Sequence, residues 1–510
     1  MNRLLLIFIL LVSIHSNTYS QDDFETWPIS WDITDSGINV TQETTIVYEG
    51  SSSASVEVTT ASQGSTDWRK NVNLNSGTTY TISFKIYHTE GGVRARIYAG
   101  TYRNYSQPTT VNQWQTLSYD YVPSSTGSHD IGLRFYDVSG FDGNEVVYVD
   151  DFKIISDVTY SSDTSISSDL TYNNVTINSG VTLTIEKNGS LTTLGNLSNS
   201  GTLIINSDNL EFGSLIVQGT SSGNATYNRW INSISSASPT SSDPGWDLVG
   251  SPVVGASLTS SNFSQNSGNY AIQPYDNSDN TWTATSSATV STSLGTGYAM
   301  AKQTAGTEAF TGTIETIDKN VSITNNDGSG SGTQWNLVAN PYPSYLALNS
   351  NARSASSATT DFITQNAETA DVLGSGTNED ALWYWKGFEY GQYNNSSSAK
   401  YIAPGQGFFV ASKTGGGTLK FLESMQTTTG TDDFISGDIM EDNRGELFIS
   451  LNQNDLLRET EIYFIENTTD GSDPTYDART FPMNDNATSV FTRLVEGDEG
   501  VDLAIQSLAY

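Results

Sequence analysis

The chain has 510 residues, contains no cysteine, and carries 22 basic against 56 acidic side chains, which gives a formal net charge of −34 at pH 7. A field this negative disfavours nucleic acid and anionic membranes as partners, and the abundance of carboxylates suits calcium. The 26 Tyr, 19 Phe and 10 Trp exclude a disordered polar chain, and the length suggests about three or four domains.

The N-terminus has the pattern of an export signal. Arg3 supplies a positive charge, Leu4 to Val12 form an unbroken apolar run, and small and polar residues follow up to Ser20. The run is shorter than the ~20 residues of a membrane-spanning helix, which predicts a signal peptide over residues 1–20, cleaved near Ser20–Gln21. The alternative is a buried N-terminal helix, but nothing amphipathic follows. We therefore expect a secreted or cell-surface protein that uses secretion machinery and has no membrane span.

Residues 22–157 have the pattern of a jelly-roll β-sandwich. Apolar and polar residues alternate along Thr81–Tyr87, Val93–Tyr98 and Ile131–Tyr136, and turns rich in Gly, Asn, Asp and Ser separate such segments. No window of the chain has a helical stripe of apolar residues. The expected fold class is therefore all-β.

A different pattern covers residues 158–222. Short apolar doublets such as Val175/Ile177 and Leu183/Ile185 recur at spacings of roughly eight to twelve residues, with glycines between them. This favours a short parallel β-solenoid, with stacked hairpins as the alternative. Such a segment is more often a spacer or platform than a catalyst.

Residues 223–435 contain an internal duplication. Trp246–Pro252 recurs as Trp335–Pro341, and Gly295–Ala301 recurs with changes as Gly405–Ala411. Two markers in the same order predict two similar β units; the alternative is two unrelated strands of similar composition. Residues 440–510 read as part of a further β-sandwich, and we expect that the sequence is truncated inside it.

Three predicted strands of the sandwich each place a cation and an aromatic ring on the face away from the core, because side chains alternate along a strand. Sugar rings stack on Tyr and Trp, and guanidinium groups suit carboxylates and sulfates. These residues therefore predict a site for a polysaccharide, including an acidic polysaccharide that carries uronate or sulfate groups. The alternative is an ordinary solvated face. The predicted ligand-binding residues on these strands and the following loop are Tyr87, Arg94, Arg96, Tyr98, Tyr102, Arg134 and Tyr136, with Lys85 beside Tyr87.

Two tryptophans and two carboxylates complete the predicted site. Trp68 lies in a polar stretch and is a second stacking residue, unless it folds back onto the core. Trp114 precedes a strand and is expected in the core. Glu25 and Asp151 lie at the start and in the last strand of the sandwich, where a structural Ca²⁺ would join the termini; the alternative is solvated acids.

Five segments of this region resemble carbohydrate-binding modules of the cellulose- and xylan-binding jelly-roll type, families 4, 9 and 22. They are D-F-E…W…W at 23–31, E-G-S-S-S-A-S-V at 49–56, S-G-T-T-Y-T-I-S-F at 76–84, N-Q-W-Q-T-L at 112–117 and Y-V-D-D-F at 148–152. The resemblance covers roughly residues 22–156. It implies a calcium ion held by the glutamate of the opening motif and an aspartate of the closing one, here Glu25 and Asp151.

The remainder resembles large surface proteins of Bacteroidetes that use type IX secretion. The segments that carry this resemblance are W-N-L-V-A-N-P-Y-P-S at 335–344, I-A-P-G-Q-G-F-F-V at 402–410 and T-T-D-G-S-D-P-T-Y-D-A at 468–478. It implies export and often surface attachment, and it implies no single activity.

Three functions fit these patterns. The first is a secreted polysaccharide-binding or adhesion protein, which we favour. The second is the non-catalytic targeting part of a polysaccharide-degrading enzyme, a hydrolase or lyase. The third is a purely structural surface protein. Catalysis by this chain is disfavoured because it has no G-x-S-x-G, no H-E-x-x-H and no cysteine nucleophile.

Overall fold

A computed structural model describes most of the chain, in the ranges 20–29, 31–103, 110–234, 245–367, 373, 380–386, 390–430, 445–453, 456–465, 468–469, 471–473, 475–480, 489–494 and 500–509. The predicted signal peptide lies outside the described residues apart from Ser20. The structure is almost entirely β, which confirms the predicted fold class. Among the described residues, no helix has the length and apolar character that crossing a membrane requires.

The chain divides into two compact units. The first unit comprises Met1–Val158 and Thr171–Val175, and the second comprises Thr159–Leu170 and Thr176–Tyr510. The finer domain boundaries expected from the sequence remain predictions.

The first unit is a β-sandwich of two antiparallel sheets. Its strands are β1 (Ser20–Asp22), β2 (Ile33–Thr34), β3 (Ile38–Glu43), β4 (Ser53–Val58), β5 (Asp67–Leu74), β6 (Tyr80–His88), β7 (Val93–Ala99), β8 (Thr101–Tyr102), β9 (Trp114–Tyr121), β10 (Gly127–Asp137) and β11 (Glu145–Ser156). Sheet one has the order β3-β4-β11-β6-β9, with β1 paired to β11, and sheet two has the order β2-β5-β10-β7-β8. The opening and closing strands of the sandwich are therefore neighbours.

Alternation along the strands builds the core of the sandwich. In β7, Val93, Ala95, Ile97 and Ala99 are buried while the intervening residues are half-buried, as a period of two requires. Aromatic rings fill the centre, where Trp31 stacks on Trp68 with ring centroids 4.3 Å apart. The sandwich thus presents two outer faces, one on each sheet.

A short solenoid of parallel strands follows the sandwich in the sequence. Its strands are β12 (Val158–Tyr160), β13 (Thr164–Ile166), β14 (Asp169–Tyr172), β15 (Val175–Ile177), β16 (Thr182–Ile185), β17 (Ser190–Thr193), β18 (Leu197–Asn199), β19 (Thr202–Asn206), β20 (Ser214–Val217), β21 (Ser221–Ser222) and β22 (Ala225–Ile231). Strands β13, β16, β19 and β22 pair in parallel with successive neighbours, as a solenoid requires.

The predicted duplication is present in the sheet topology. Its strands are β23 (Asp247–Val249), β24 (Ser257–Thr259), β25 (Gln265–Asn266), β26 (Asn269–Tyr270), β27 (Ile272–Asp276), β28 (Thr281–Trp282), β29 (Thr289–Ser291), β30 (Tyr298–Met300), β31 (Gly306–Gly312), β32 (Lys319–Ile323), β33 (Trp335–Ala339), β34 (Tyr345–Ala347), β35 (Leu382–Trp385), β36 (Tyr390–Tyr393), β37 (Tyr401–Ile402), β38 (Gly407–Ala411), β39 (Gly417–Phe421) and β40 (Gln426–Thr427). The orders β23-β30-β27-β28 and β33-β38-β35-β36 match strand for strand. The repeated sequence markers lie on the equivalent strands β23 and β33, and β30 and β38.

Two short helices interrupt the second repeat, α1 (Ser350–Ser354) and α2 (Phe362–Asn366). The last described strands are β41 (Gly445–Gln453), β42 (Leu456–Phe464), β43 (Ala478–Arg479), β44 (Thr492–Arg493) and β45 (Asp502–Leu508). They form one sheet in which β42 pairs with β45 in parallel.

Candidate functional site

The outer face of sheet two brings most of the predicted ligand-binding residues together. Register pairs Arg134 of β10 with Arg96 of β7 on one side and with Asp67 of β5 on the other. We call this surface the arginine face; it carries Asp67, Arg69, Arg94, Arg96, Tyr98, Tyr102, Arg134 and Tyr136.

The carboxylate of Asp67 lies at the centre of the arginine face. Arg134 donates a hydrogen bond from Nη2 to Oδ2 of Asp67 at 2.6 Å, Arg69 donates to the same oxygen, and the Tyr102 hydroxyl donates to it at 2.9 Å. Burial and the hydrogen bond to Asp67 raise the pKa of Tyr102, and the same carboxylate raises the pKa of Arg134. Asp67 therefore fixes two guanidinium groups and one phenol in place.

Aromatic rings support the same two guanidinium groups. The Cζ atom of Arg69 lies 3.7 Å from the centroid of the Tyr98 ring, and that of Arg134 lies 3.8 Å from the centroid of Tyr102. The two tyrosine rings contact each other edge to face at 5.0 Å. A cation is attracted to the face of an aromatic ring, so Tyr98 and Tyr102 help to hold the two guanidinium groups in place. The guanidinium groups in turn cover the faces of these rings.

The other arginines of this face differ in their bonding. Arg96 donates to the backbone carbonyls of Arg103 and Tyr102, the latter at 3.5 Å. Within the described residues, Arg94 forms no hydrogen bond or ion pair, and it is half-buried opposite Tyr136. Tyr136 itself is 5% exposed, so its ring is covered and the prediction that it contacts a ligand is wrong. Among the described residues, Arg94 is thus the guanidinium of this face that is left to contact a ligand.

Two predicted stacking residues lie elsewhere. Trp68 is 1% exposed and packs in the core between Phe24 and Trp31, so the prediction that it stacks on a sugar is wrong. Tyr87 is half-buried on β6, which belongs to sheet one, so it lies on the outer face opposite to the arginine face. The sandwich therefore divides the predicted site between two surfaces.

Trp114 also departs from expectation. It begins β9 and is half-buried on the outer face of sheet one, where it pairs with Tyr87 and not with the core. Sequence reasoning also missed Asp67 and Arg69. The alternation of Asp67-Trp68-Arg69 along one strand is the signal that places Trp68 inward and its two neighbours outward.

The two carboxylates predicted to hold calcium lie near the paired ends of the sandwich. Glu25 accepts hydrogen bonds from the backbone amides of Ser51 and Ser52 at 2.8 and 3.0 Å. Asp151 is 6% exposed, and its Oδ1 atom forms an ion pair with the Lys153 ammonium at 2.7 Å. Carboxylate oxygens are ligands that calcium uses, but a Ca²⁺ ion at this oxygen would have to displace the Lys153 ammonium.

Backbone conformation points to the same end of the sandwich. Phe24 and Asp151 have φ values of 56° and 48°, a left-handed conformation that costs non-glycine residues about 1–3 kcal/mol each. Within the described residues, no group of three or more His, Asp or Glu side chains is placed to hold a metal ion. Backbone carbonyls would have to supply the remaining ligands, so the calcium site remains a prediction.

Two family models match the chain, one over most of its length and one over its N-terminal region. Residues 145–508 match a domain of unknown function, DUF8693. The chain belongs to the DUF8693 family. Residues 16–137 match a carbohydrate binding domain, CBM_4_9. The second match lies over the β-sandwich that this DUF8693 protein carries at its N-terminus, and it confirms the predicted resemblance of that region to carbohydrate-binding modules.

Three solved carbohydrate-binding modules are similar to part of this DUF8693 chain. The CBM22-1 xylan-binding domain of Paenibacillus barcinonensis Xyn10C is 16% identical, with 28% of this chain and 96% of that chain covered and a TM-score of 0.23. The C-terminal family 22 module of Clostridium thermocellum Xyn10B is 22% identical, with coverages of 26% and 91% and a TM-score of 0.22. The C-terminal CBM6 of LamC from Zobellia galactanivorans is 17% identical, with coverages of 27% and 98% and a TM-score of 0.18. No curated protein matches the chain.

Proposed function

We propose that this protein is an exported polysaccharide-binding protein and that its arginine face binds an acidic glycan. The observation that carries the proposal is the set of four guanidinium groups, from Arg69, Arg94, Arg96 and Arg134, on one face of a domain that matches a carbohydrate-binding family. Four guanidinium groups lie around two carboxylates, those of Asp67 and Asp35. Cations therefore outnumber these anions, and the face is locally positive on a chain of net charge −34. A carboxylated or sulfated sugar is the ligand of complementary charge.

The fixed geometry of the face supports this function. A guanidinium fork matches the two oxygens of a carboxylate or sulfate, and it binds more tightly when it does not have to be ordered first. Asp67, Tyr98 and Tyr102 order Arg69 and Arg134 before any ligand arrives. Arg94, which has no hydrogen bond or ion pair among the described residues, would contact the anionic group, and Arg96 would lie beside it.

A purely structural role is the second candidate, and one observation favours it. Three of the four guanidinium groups already bond to the protein: Arg69 and Arg134 to Asp67, and Arg96 to backbone carbonyls. Paired charges of this kind also rigidify a surface that binds nothing. A polysaccharide screen separates the two functions because a structural face retains no glycan.

Export and calcium complete the proposal. The apolar N-terminal run supports secretion through a signal peptide, and the resemblance of residues 335–344 and 402–410 to surface proteins of Bacteroidetes supports type IX export to the cell surface. We also propose that Glu25 and Asp151 would hold a structural Ca²⁺ near the paired β1 and β11 strands. The ion would supply only stability to the fold.

The experiment that tests the proposal is affinity gel electrophoresis of the full chain in gels that contain single polysaccharides. Polygalacturonate and alginate represent acidic glycans, and xylan and hydroxyethyl cellulose represent less charged or neutral ones. The proposal requires retention by at least one acidic polysaccharide, and retention must weaken at higher salt because screening reduces charge attraction. Migration that no acidic polysaccharide slows would contradict it and favour the structural role.

A further inference from the structure

The outer face of sheet one carries a second concentration of aromatic side chains. Register places Trp114 of β9 opposite Tyr87 of β6, and Tyr87 opposite Tyr148 of β11. Three rings therefore lie in one row across three adjacent strands. Tyr48, from the segment between β3 and β4, contacts Trp114 at the end of this row. We call these four residues the aromatic row.

The rings of the aromatic row are evenly spaced and mutually oriented. Ring centroids are 5.9 Å apart for Tyr48 and Trp114, 5.5 Å for Trp114 and Tyr87, and 5.7 Å for Tyr87 and Tyr148. Neighbouring ring planes cross at 68°, 63° and 64°. Edge-to-face contacts of this kind stabilise aromatic pairs, so each ring fixes the orientation of the next.

A buried carboxylate anchors Tyr48 over the sheet. Asp150 of β11 is fully buried, and its Oδ2 atom accepts hydrogen bonds from the backbone amides of Tyr48 and Glu49 at 2.9 and 3.3 Å. The Ser53 hydroxyl donates a hydrogen bond to the carbonyl of Ile46 at 2.7 Å, which also fixes the segment between β3 and β4 that carries Tyr48. Tyr48 is 43% exposed although its backbone is fixed. The protein thus holds a large ring in an exposed position.

The polar atoms of the aromatic row have no hydrogen-bond partner among the described residues. Within the part of the chain that the structure describes, the hydroxyls of Tyr48, Tyr87 and Tyr148 and the indole nitrogen of Trp114 make no hydrogen bond. The side chains of Tyr87, Trp114 and Tyr148 are half-buried, so they remain accessible. Four hydrogen-bonding groups on four adjacent rings match a ligand that has both apolar faces and many hydroxyls.

Charges beside the row offset each other, in contrast to those of the arginine face. The Lys85 ammonium lies 4.4 Å from the centroid of Tyr48 and donates to the Thr116 hydroxyl at 3.0 Å. At the other end, burial and then the Glu43 carboxylate raise the pKa of Tyr148. Among the described residues the row thus has charges of both signs beside it and no cluster of guanidinium groups, which favours a ligand without net charge.

We propose that the aromatic row is a second carbohydrate-binding site, which takes a neutral polysaccharide chain along the outer face of sheet one. Sugar rings stack on the aromatic side chains, and their hydroxyls bond to the tyrosine hydroxyls and to the indole N–H of Trp114. This site is independent of the arginine face because the two lie on opposite sheets of the sandwich. The first unit therefore has two binding faces of different charge preference.

The test uses affinity gels of the full chain with neutral polysaccharides: arabinose-free xylan, hydroxyethyl cellulose and β-1,4-galactan. The parent protein is expected to bind at least one of them. Trp114→Ala and Tyr148→Ala each weaken that binding by about tenfold or more, since each removes a stacking ring. Ser118→Ala is the matched control because Ser118 is exposed on the same face of β9, and it leaves the affinity unchanged.

Variants that keep the rings protect the test against misfolding. Tyr87→Phe and Tyr148→Phe retain the edge-to-face contacts and lose one hydroxyl each, so binding weakens by about fivefold while the melting temperature stays at the parent value. Retention by polygalacturonate, measured in parallel, is unchanged in all of these variants. Loss of binding at the arginine face is therefore detected in the polygalacturonate gel, and loss of binding at the aromatic row is detected in the gels of neutral polysaccharides.

Three results would overturn the proposal. The first is that no neutral polysaccharide slows the parent protein. The second is that Trp114→Ala and Tyr148→Ala bind as the parent does. The third is that neutral polysaccharides compete with polygalacturonate for a single site, because that would place both ligands on the arginine face.

Discussion

The guanidinium carbon of Arg69 lies 3.7 Å from the centre of the Tyr98 ring, although the two residues are on strands that do not pair with each other. Strand β10 runs between them, and its residue in that row is Gly132, which pairs with both. Because Gly132 has no side chain, the Arg69 side chain reaches across it to Tyr98. A residue without a side chain thus creates the contact that orders the arginine face.

Removing Asp67 should destabilise the first unit. Asp67 is 5% exposed and compensates both Arg69 and Arg134, so Asp67→Ala leaves two cations close together without an anion. Breaking a buried ion pair in this way costs about 3–5 kcal/mol. Denaturant unfolding of the full chain measures the loss. The control is Asp142→Ala, because Asp142 is exposed and should change stability by no more than about 0.5 kcal/mol. Equal stability of the two variants would show that the pairs contribute nothing.

A methyl group at position 132 has no space. A Cβ there would lie 2.2 Å from the carbonyl oxygen of Trp68 and 2.6 Å from the Cα atom of Arg69. Gly132→Ala should therefore lower the free energy of unfolding by on the order of 2 kcal/mol, since strands β5 and β10 must move apart. Gly64→Ala is the control in the same unit, because nothing lies within 4 Å of a Cβ at Gly64. A Gly132→Ala protein as stable as the control would contradict the close approach.

His88 should make the first unit sensitive to acid. Burial, with the Arg94 charge, lowers the pKa of His88 from 6.5 to about 4. Because the folded state takes up the proton less readily than the unfolded state, stability is full above pH 6.5 and falls as the pH drops towards about 4. Asp150, whose pKa burial raises to about 6, acts in the opposite direction, because its contribution is lost as pH rises from about 4 to about 6. The difference in unfolding free energy between the parent and His88→Gln isolates the histidine.

That difference should favour the parent more at pH 7 than at pH 4.5. A difference that does not vary between these two pH values would show that His88 is not held neutral by the fold.

Alternation along single strands allowed much of the arginine face to be predicted. The outward positions of Arg94, Arg96, Tyr98 and Arg134 follow from the period of two within β7 and β10. The assignment of strands to sheets did not follow, because β6 and β7 are consecutive in sequence but belong to different sheets. This is why Tyr87 was grouped with the arginines although it lies on the opposite face.

Residues whose role depends on distant partners were harder to find. Asp67 is one of 56 acidic residues, and only the folded sheet shows that it meets Arg134, 67 positions away in the sequence. Trp114 was expected in the core because it precedes a strand, and its partner Tyr87 becomes apparent only from the register of β9 with β6. The repeated markers, by contrast, were visible in the sequence because each carries its own strand pattern.

Calcium should raise the melting temperature of the first unit. The proposed site holds the ion through Glu25 and Asp151, and a ligand that binds only the folded state stabilises it in proportion to the logarithm of its concentration. At a concentration about 100 times the dissociation constant the gain is about 2.7 kcal/mol. Differential scanning calorimetry in excess CaCl₂ or EGTA measures the shift. Glu25→Gln should abolish most of it, while Glu57→Gln, on the surface of β4, should not. Identical melting with CaCl₂ and EGTA would contradict the site.

The most direct test of the account is the affinity of the full chain for an acidic polysaccharide, with and without Arg94. Affinity gels of polygalacturonate and alginate are run with the parent, with Arg94→Ala, and with Lys319→Ala as a control that removes one positive charge from the second unit. The account predicts that at least one of these polysaccharides slows the parent, that Arg94→Ala weakens binding by about tenfold, and that Lys319→Ala leaves it unchanged. Equal retention of the Arg94→Ala variant and the parent, or no retention of the parent in either gel, would contradict the assignment of the arginine face as the glycan-binding site.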